Sequence, residues 1–179
     1  MKSGTALLVI DVQVGIIDGL HAYKGGEVLR TIDGLLSKAR AAGVPVLYVQ
    51  HDGQSGDILE SGTAGWKIHP AIAPADGEPV IRKLAPDSFY ETSLARELDS
   101  RGIGHLVVTG CETPYCIDTI CRRAVSLGYD VTLVGDAHTT VDSNVLSAAQ
   151  IIAHHNSVLD GFGVGEHAIA VRPSQSIQF

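Results

Sequence analysis

"HLVVTGCETPYCID", residues His105–Asp118, decides the fold. Its first half, His105–Gly110, is a short apolar run and reads as a buried parallel strand. Its second half opens a helix. Thr113 followed by Pro114 predicts an N-cap with proline at N1, where a missing N–H costs nothing. Tyr115 then falls at N2 and Cys116 at N3. The helix is expected from Pro114 to Leu127, with Gly128 closing it. A strand that turns directly into a helix is half of a βαβ unit.

The same unit recurs on either side. "ALLVID" (Ala6–Asp11), "PVLYVQ" (Pro45–Gln50), "PVIRK" (Pro79–Lys83) and "DVTLVGD" (Asp130–Asp136) read as strands, and "AIAVR" (Ala168–Arg172) as a short last one. Helices are predicted between them. Over 26–42, Val28, Leu29, Ile32, Leu35, Leu36 and Ala39 recur at helical spacing before Gly43. Two more are expected over Thr92–Gly102 and from Ser143 to about His155. Residues 51–78 are rich in Gly, Ser, Asp and Pro and read as a long excursion with little regular structure, a candidate lid. The alternation predicts a single α/β domain over 1–179. Its sheet is doubly wound, mostly parallel, of five or six strands, with helices on both faces. Such sheets bind ligands beyond the carboxyl ends of their strands, at the topological switch point.

Composition narrows the function. The chain has 179 residues, 45% hydrophobic and 18% charged, which suits a globular protein with a real core. Its formal net charge is −7, with no basic stripe, so nucleic acid is not an expected partner. No apolar run reaches the ~18 residues of a membrane span. The start, Met1-Lys2-Ser3-Gly4-Thr5, shows no secretory signal pattern, and a reducing cytoplasm is the expected compartment.

The three cysteines, Cys111, Cys116 and Cys121, fall within eleven residues. Their odd number and lack of a secretory context argue against a structural disulfide. Their C-x4-C-x4-C spacing does not match a zinc site. Cys111 and Cys121 read as small buried hydrophobes, and a redox role for the cluster is the alternative. Cys116 differs. A thiol in the first turn feels the positive end of the helix dipole, and its pKa is expected to fall from about 8.5 toward ~3.5–7.5 when a cation helps. The first-turn N–H groups are also placed to hold an oxyanion. Asp11 ends the first strand and Lys83 the third. Acid, amine and thiol therefore converge on one rim if the sheet is wound as predicted.

Other residues take blander readings. His154-His155-Asn156 sits near the end of a predicted helix, where polar side chains satisfy terminal carbonyls. Asp136-Ala137-His138 follows the fifth strand and reads as turn and packing. Trp66, in "GTAGWKIHP", is either an anchor beneath the loop or a wall of a pocket or interface.

These stretches carry a resemblance. "LLVIDVQ" (Leu7–Gln13), Lys83 within "VIRKLAPDSFYET", "VVTGCETPYCID" and "AVSLGYDVTLVGDAHTT" are similar to those of the isochorismatase-like cysteine hydrolases, which include nicotinamidases, N-carbamoylsarcosine amidase and ureidoacrylate amidase. The resemblance covers nearly the whole chain. It implies a triad of Asp11, Lys83 and Cys116 that cleaves a C–N bond of a small amide or carbamoyl compound through a thioester, with no cofactor. It also implies a cis peptide between Cys111 and Glu112 that aims the backbone N–H groups of Glu112 and Cys116 at the oxyanion. A small-molecule pocket including Gln13, Ile16, Trp66 and Tyr115, and a homo-oligomer (dimer or tetramer), belong to the same expectation. The sequence departs from the family in two places. The metal-binding Asp-x-His of many nicotinamidases is replaced by "QHDG", with His51 beside Asp52 and His69 downstream, so no metal is expected. Ile16 stands where many members carry Phe. The alternatives are hydrolysis of a vinyl ether, as in isochorismatase itself, and a non-catalytic binding subunit.

Overall fold

The computed structural model describes residues 3–179; Met1 and Lys2 lie outside them. Seven strands form the sheet: β1 (Gly4–Ile10), β2 (Val46–His51), β3 (Val80–Lys83), β4 (Ile103–Cys111), β5 (Asp130–Thr139), β6 (Gly163–Val164) and β7 (His167–Arg172). Their order is β3-β2-β1-β4-β5-β7-β6. Every pairing is parallel except that of β6 with β7. The count exceeds the expected five or six because of β6. It is two exposed residues long, too short to show an apolar pattern, and it folds back on β7 through Gly165 at φ +63°.

The winding reverses between β1 and β4, so the carboxyl ends of these neighbours flank the switch point. They approach very closely there. A Cβ on Gly110 would sit 2.0 Å from the carbonyl oxygen of Ile10, and Gly110 has φ +123°. Only glycine fits both conditions.

Alternation along β1 splits the core. Ala6, Leu8 and Ile10 face one side, which is covered by α2 (Leu94–Ser100), α3 (Asp118–Ser126) and Leu159 of α4 (Ala148–Leu159). Leu7 and Val9 face the other, which is covered by Val28, Ile32, Leu35 and Leu36 of α1 (Gly25–Ala41). Both faces are buried, as a parallel sheet requires. No helix among the described residues is long and apolar enough to cross a membrane.

Three helix boundaries differ from the sequence expectation. α4 begins at Ala148, not Ser143. Ser147 caps it and closes a capping box with Gln150, while Ser143 forms a turn with Leu146. α4 also runs on to Leu159, past the expected end near His155, so His154 and His155 lie in its second half and Asn156 in its last turn. The helix predicted from Pro114 opens instead as a π-turn, Thr113–Ile117, before α3 begins at Asp118.

The excursion after β2 is tied down rather than loose. Gln13, wholly buried, donates its side-chain amide to the carbonyls of His51 (3.0 Å) and Trp66 (2.7 Å) and accepts from the N–H of His51 (3.0 Å). Gln50 donates to the same Trp66 carbonyl at 2.8 Å. Backbone bonds from Val14 to Lys67 and from Gly15 to Gly65 complete the attachment. A Cβ on Gly65 would stand 2.3 Å from the Ile58 carbonyl oxygen, so the two limbs of the excursion touch backbone to backbone.

Candidate active site

Three strands deliver three side chains. Asp11 follows β1 with φ 50°, and its N–H bonds to Val49 at 2.9 Å. Lys83 ends β3, two strands away, a lateral span of about 10 Å at the usual strand spacing. Only a long side chain crosses that span. Its ammonium Nζ lies 2.7 Å from Asp11 Oδ2 and 3.2 Å from Cys116 Sγ. Lys83 is 2% exposed and Asp11 1%. The predicted convergence of Asp11, Lys83 and Cys116 on the rim is therefore met in space.

The turn that holds the thiol differs in detail from its reading. Glu112 is the N-cap residue, so Thr113 is N1, Pro114 is N2 and Cys116 is N4. Thr113 does not cap because its hydroxyl is engaged elsewhere, 2.8 Å from Nδ1 of His138. The far ring nitrogen, Nε2, lies 2.8 Å from Asn156 Oδ1, and Asn156 Nδ2 donates to the Gly135 carbonyl at 3.0 Å. These partners fix the tautomer. Nε2–H donates to Asn156, and Nδ1 accepts the Thr113 hydroxyl. Burial pushes His138 down to about 4, against the opposing pull of Asn156, so the ring is neutral at physiological pH. His138 does more than the turn and packing role its sequence position suggests. It clamps the nucleophile turn to the end of β5 and to α4. The peptide between Cys111 and Glu112 is cis.

The electrostatics overturn one expectation. Burial, and then the charge of Asp11, raise the Cys116 thiol to about 12, and Lys83 pulls the other way without prevailing. A place at a helix start does not lower this thiol, because burial outweighs the help that the dipole and Lys83 give. Burial works against the charge on Lys83, but Asp11 and Cys116 outweigh it and hold the ammonium above its ordinary range. The resting site is thus a neutral thiol beside a carboxylate–ammonium pair. Asp11 Oδ1 is buried and has no hydrogen-bond partner among the described residues. Burial also raises Cys111 and Cys121. Both are fully buried, as read.

A cavity of about 250 Å³ opens over Asp11 and Cys116. Ile16, Leu20, Ile58 and Leu59 form its apolar wall. Glu112 and Asp57 bring carboxyl groups to it, and His51 and Pro86 complete it. Of the four expected pocket residues, only Ile16 lines this cavity. Gln13 is occupied in anchoring the excursion. Trp66 donates its indole N–H to Asp52 Oδ1 (2.8 Å) and lies under the Arg82 guanidinium (4.4 Å), which resolves it as a loop anchor. Tyr115 points outward and is 59% exposed. The sequence reading missed Leu20, Asp57, Ile58 and Leu59, because loop residues without regular spacing give no signal of where they fold.

His51, Asp52 and His69 are separately engaged. His51 Nδ1 lies 3.4 Å from Lys83 Nζ, and burial, followed by the charge on Lys83, lowers its pKa. Asp52 pairs with Arg82 at 2.6 Å. His69 Nδ1 accepts the Ala71 N–H at 3.2 Å, and its Nε2 lies 3.4 Å from Asp18. Among the described residues, no group of three or more His, Cys, Asp or Glu is arranged to hold a metal ion.

Fold and site together define a class: a doubly wound α/β protein with a buried carboxylate and amine beside a half-buried thiol in its switch-point crevice. Comparison with known proteins makes this specific. Residues 5–155 match the Isochorismatase domain family, and the chain belongs to that family. It is 39% identical over 138 residues to a streptothricin hydrolase of Streptomyces noursei, which covers 76% of this chain and 50% of that protein. The chain thus spans about half the length of that relative. It is 27% identical over 175 residues to a ureidoacrylate amidohydrolase of Pseudomonas syringae, covering 76% and 71% of the two chains. The crystal structure of an isochorismatase from Pseudomonas putida superposes with a TM-score of 0.88 at 31% identity, covering 97% of this chain and 89% of that one.

Proposed function

We propose that this protein is a cysteine hydrolase that cleaves a C–N bond of a small amide or carbamoyl compound, with Asp11, Lys83 and Cys116 as its reacting groups. One observation carries the reading: the Lys83 ammonium lies 2.7 Å from Asp11 and 3.2 Å from Cys116, and both of those partners line the cavity.

With the thiol held protonated, attack and deprotonation go together. The Cys116 S–H proton passes to Asp11 as Sγ bonds to the carbonyl carbon and the carbonyl electrons move onto oxygen. The backbone N–H groups of Glu112 and Cys116 receive that oxyanion, a contribution of about 3–4 kcal/mol in comparable sites. The intermediate collapses, the C–N bond breaks, and the leaving nitrogen takes the proton from Asp11. A water then attacks the thioester carbon and gives its proton to Asp11. The C–S bond breaks, the acid departs, and sulfur recovers its proton. Lys83 stays charged throughout and offsets the charge passed between Asp11 and Cys116.

The hydrolase names of the two curated relatives support this reading, and the thiol favours acyl transfer over vinyl-ether hydrolysis. Ammonia release from a panel of small amides and carbamoyl compounds tests it. Wild type is expected to release ammonia and Cys116→Ala to fall to background; equal rates would remove the nucleophile and with it the mechanism. Exposed Leu84, Tyr90 and Val145 support the accompanying proposal of a homo-oligomer, which sedimentation velocity tests.

A further inference from the structure

The charge pattern of the cavity points to a substrate class for the hydrolysis proposed above, and the inference rests on that reading. Asp11, Glu112 and Asp57 all line the cavity. Lys83 offsets Asp11. Among the described residues no cation offsets the other two. Glu112 is reached only by the neutral Thr140 hydroxyl at 3.1 Å, and the Asp57 carboxylate accepts the Leu59 N–H at 2.7 Å. No lysine or arginine lines the cavity. His51, on its wall, is held below the ordinary histidine range by burial and by Lys83. The rest of the wall, from Ile16 and Leu20 to Ile58 and Leu59, is aliphatic.

We infer that the cavity takes amides bearing a cationic group, an ammonium or amidinium, on a short aliphatic arm, with Glu112 and Asp57 as the residues that select it. Asp57 is exposed at the mouth, and Glu112 is half-buried, its carboxyl pKa raised by burial and by Asp11; a cation beside either one relieves that charge, whereas a carboxylate adds to it. A carboxylate-bearing substrate would also lose its hydration without gaining a charged partner.

Cys116 itself is the probe. Aminoethyl and sulfonatoethyl methanethiosulfonate deliver arms of equal length and opposite charge. In each, the thiolate attacks the sulfenyl sulfur, a disulfide forms and methanesulfinate leaves. Rates on the full chain are followed by intact mass and normalised to mercaptoethanol, with Cys116→Ala subtracting any reaction at Cys111 and Cys121. The normalised ratio is expected to favour the ammonium reagent by about tenfold at low salt and to shrink as salt is added. Glu112→Gln and Asp57→Asn, both near-isosteric, are each expected to cut it about threefold. A normalised ratio of one or below, or one that neither substitution moves, overturns the inference.

This readout needs no turnover, so the two readings fail separately. Ammonium preference in a protein that releases no ammonia from any amide would sink the hydrolase reading and keep the selectivity. Fastest hydrolysis of carboxylate-bearing amides, with the ammonium reagent disfavoured, would do the reverse.

Discussion

Replacing Lys83 by methionine is expected to cost stability out of proportion to the atoms changed. The side chain lies among the largest fully buried groups, and its nitrogen stands 2.7 Å from Asp11 Oδ2. At an effective dielectric of about 20, a unit pair at that distance attracts by about 6 kcal/mol. Burying two ions costs several kcal/mol each, so the pair as a whole contributes little net stability. Breaking it is another matter. Methionine fills the volume but leaves Asp11 charged, buried and uncompensated, which costs about 3–5 kcal/mol. That is a large share of the ~5–15 kcal/mol that holds a typical domain folded. Urea unfolding at neutral pH measures it, with Asp11→Asn/Lys83→Met as the partner experiment. The double variant is expected to regain most of the loss, because no buried charge remains. A cost under ~1 kcal/mol for the single variant, or a double variant as unstable as the sum of the two singles, would refute the reasoning.

Alkylation of Cys116 by iodoacetamide is expected to rise about tenfold per pH unit from pH 7 to 9, because the thiol stays protonated up to about 12; a plateau near neutral pH would show a thiolate at rest. The same raised thiol favours the folded state while both states are protonated. Stability is therefore lost as pH rises from the ordinary thiol range toward about 12, and Cys116→Ala should flatten that slope in pH-dependent urea midpoints. His138→Ala strands Thr113 and Asn156 and should cost about 2–4 kcal/mol, whereas His138→Asn, which keeps an acceptor for Thr113, should cost less. Equal losses in thermal unfolding would rule out the clamp. Gly110→Ala drives a methyl into the Ile10 carbonyl at 2.0 Å and should destabilise by about 3 kcal/mol or more; a folded protein of near wild-type midpoint would contradict the packing of β1 on β4.

Much of this architecture could be read from the chain because strands and helices announce themselves locally. Apolar runs that end in Asp11, Lys83 and Gly110 mark strand ends, and the α/β alternation places those ends on one rim. What the sequence hid depends on distant partners. Thr113-Pro114 has the chemistry of a cap, but His138, far along the chain, takes the hydroxyl. His154 to Asn156 looked terminal, yet no glycine or proline interrupts the helix before Gly161, and Asn156 has its work at His138. Ser147 and Gln150 did carry a legible capping box that marks the true start of α4. The elevated thiol was invisible for the same reason as the cavity wall: burial is a property of the assembled sheet and excursion.

The way the excursion is fastened has a bearing on how such a protein diversifies. Asp57, Ile58 and Leu59 come from a segment hung on Gln13 and Gln50, while Asp11, Lys83 and Cys116 are rooted in the sheet and the turn beyond it. The excursion's share of recognition is thus carried on a different stretch of polypeptide from the reacting groups, while Glu112 stays beside Cys116. A segment of another length or composition, grafted between the same fastening points, would exchange one clientele for another while the reacting atoms kept their places.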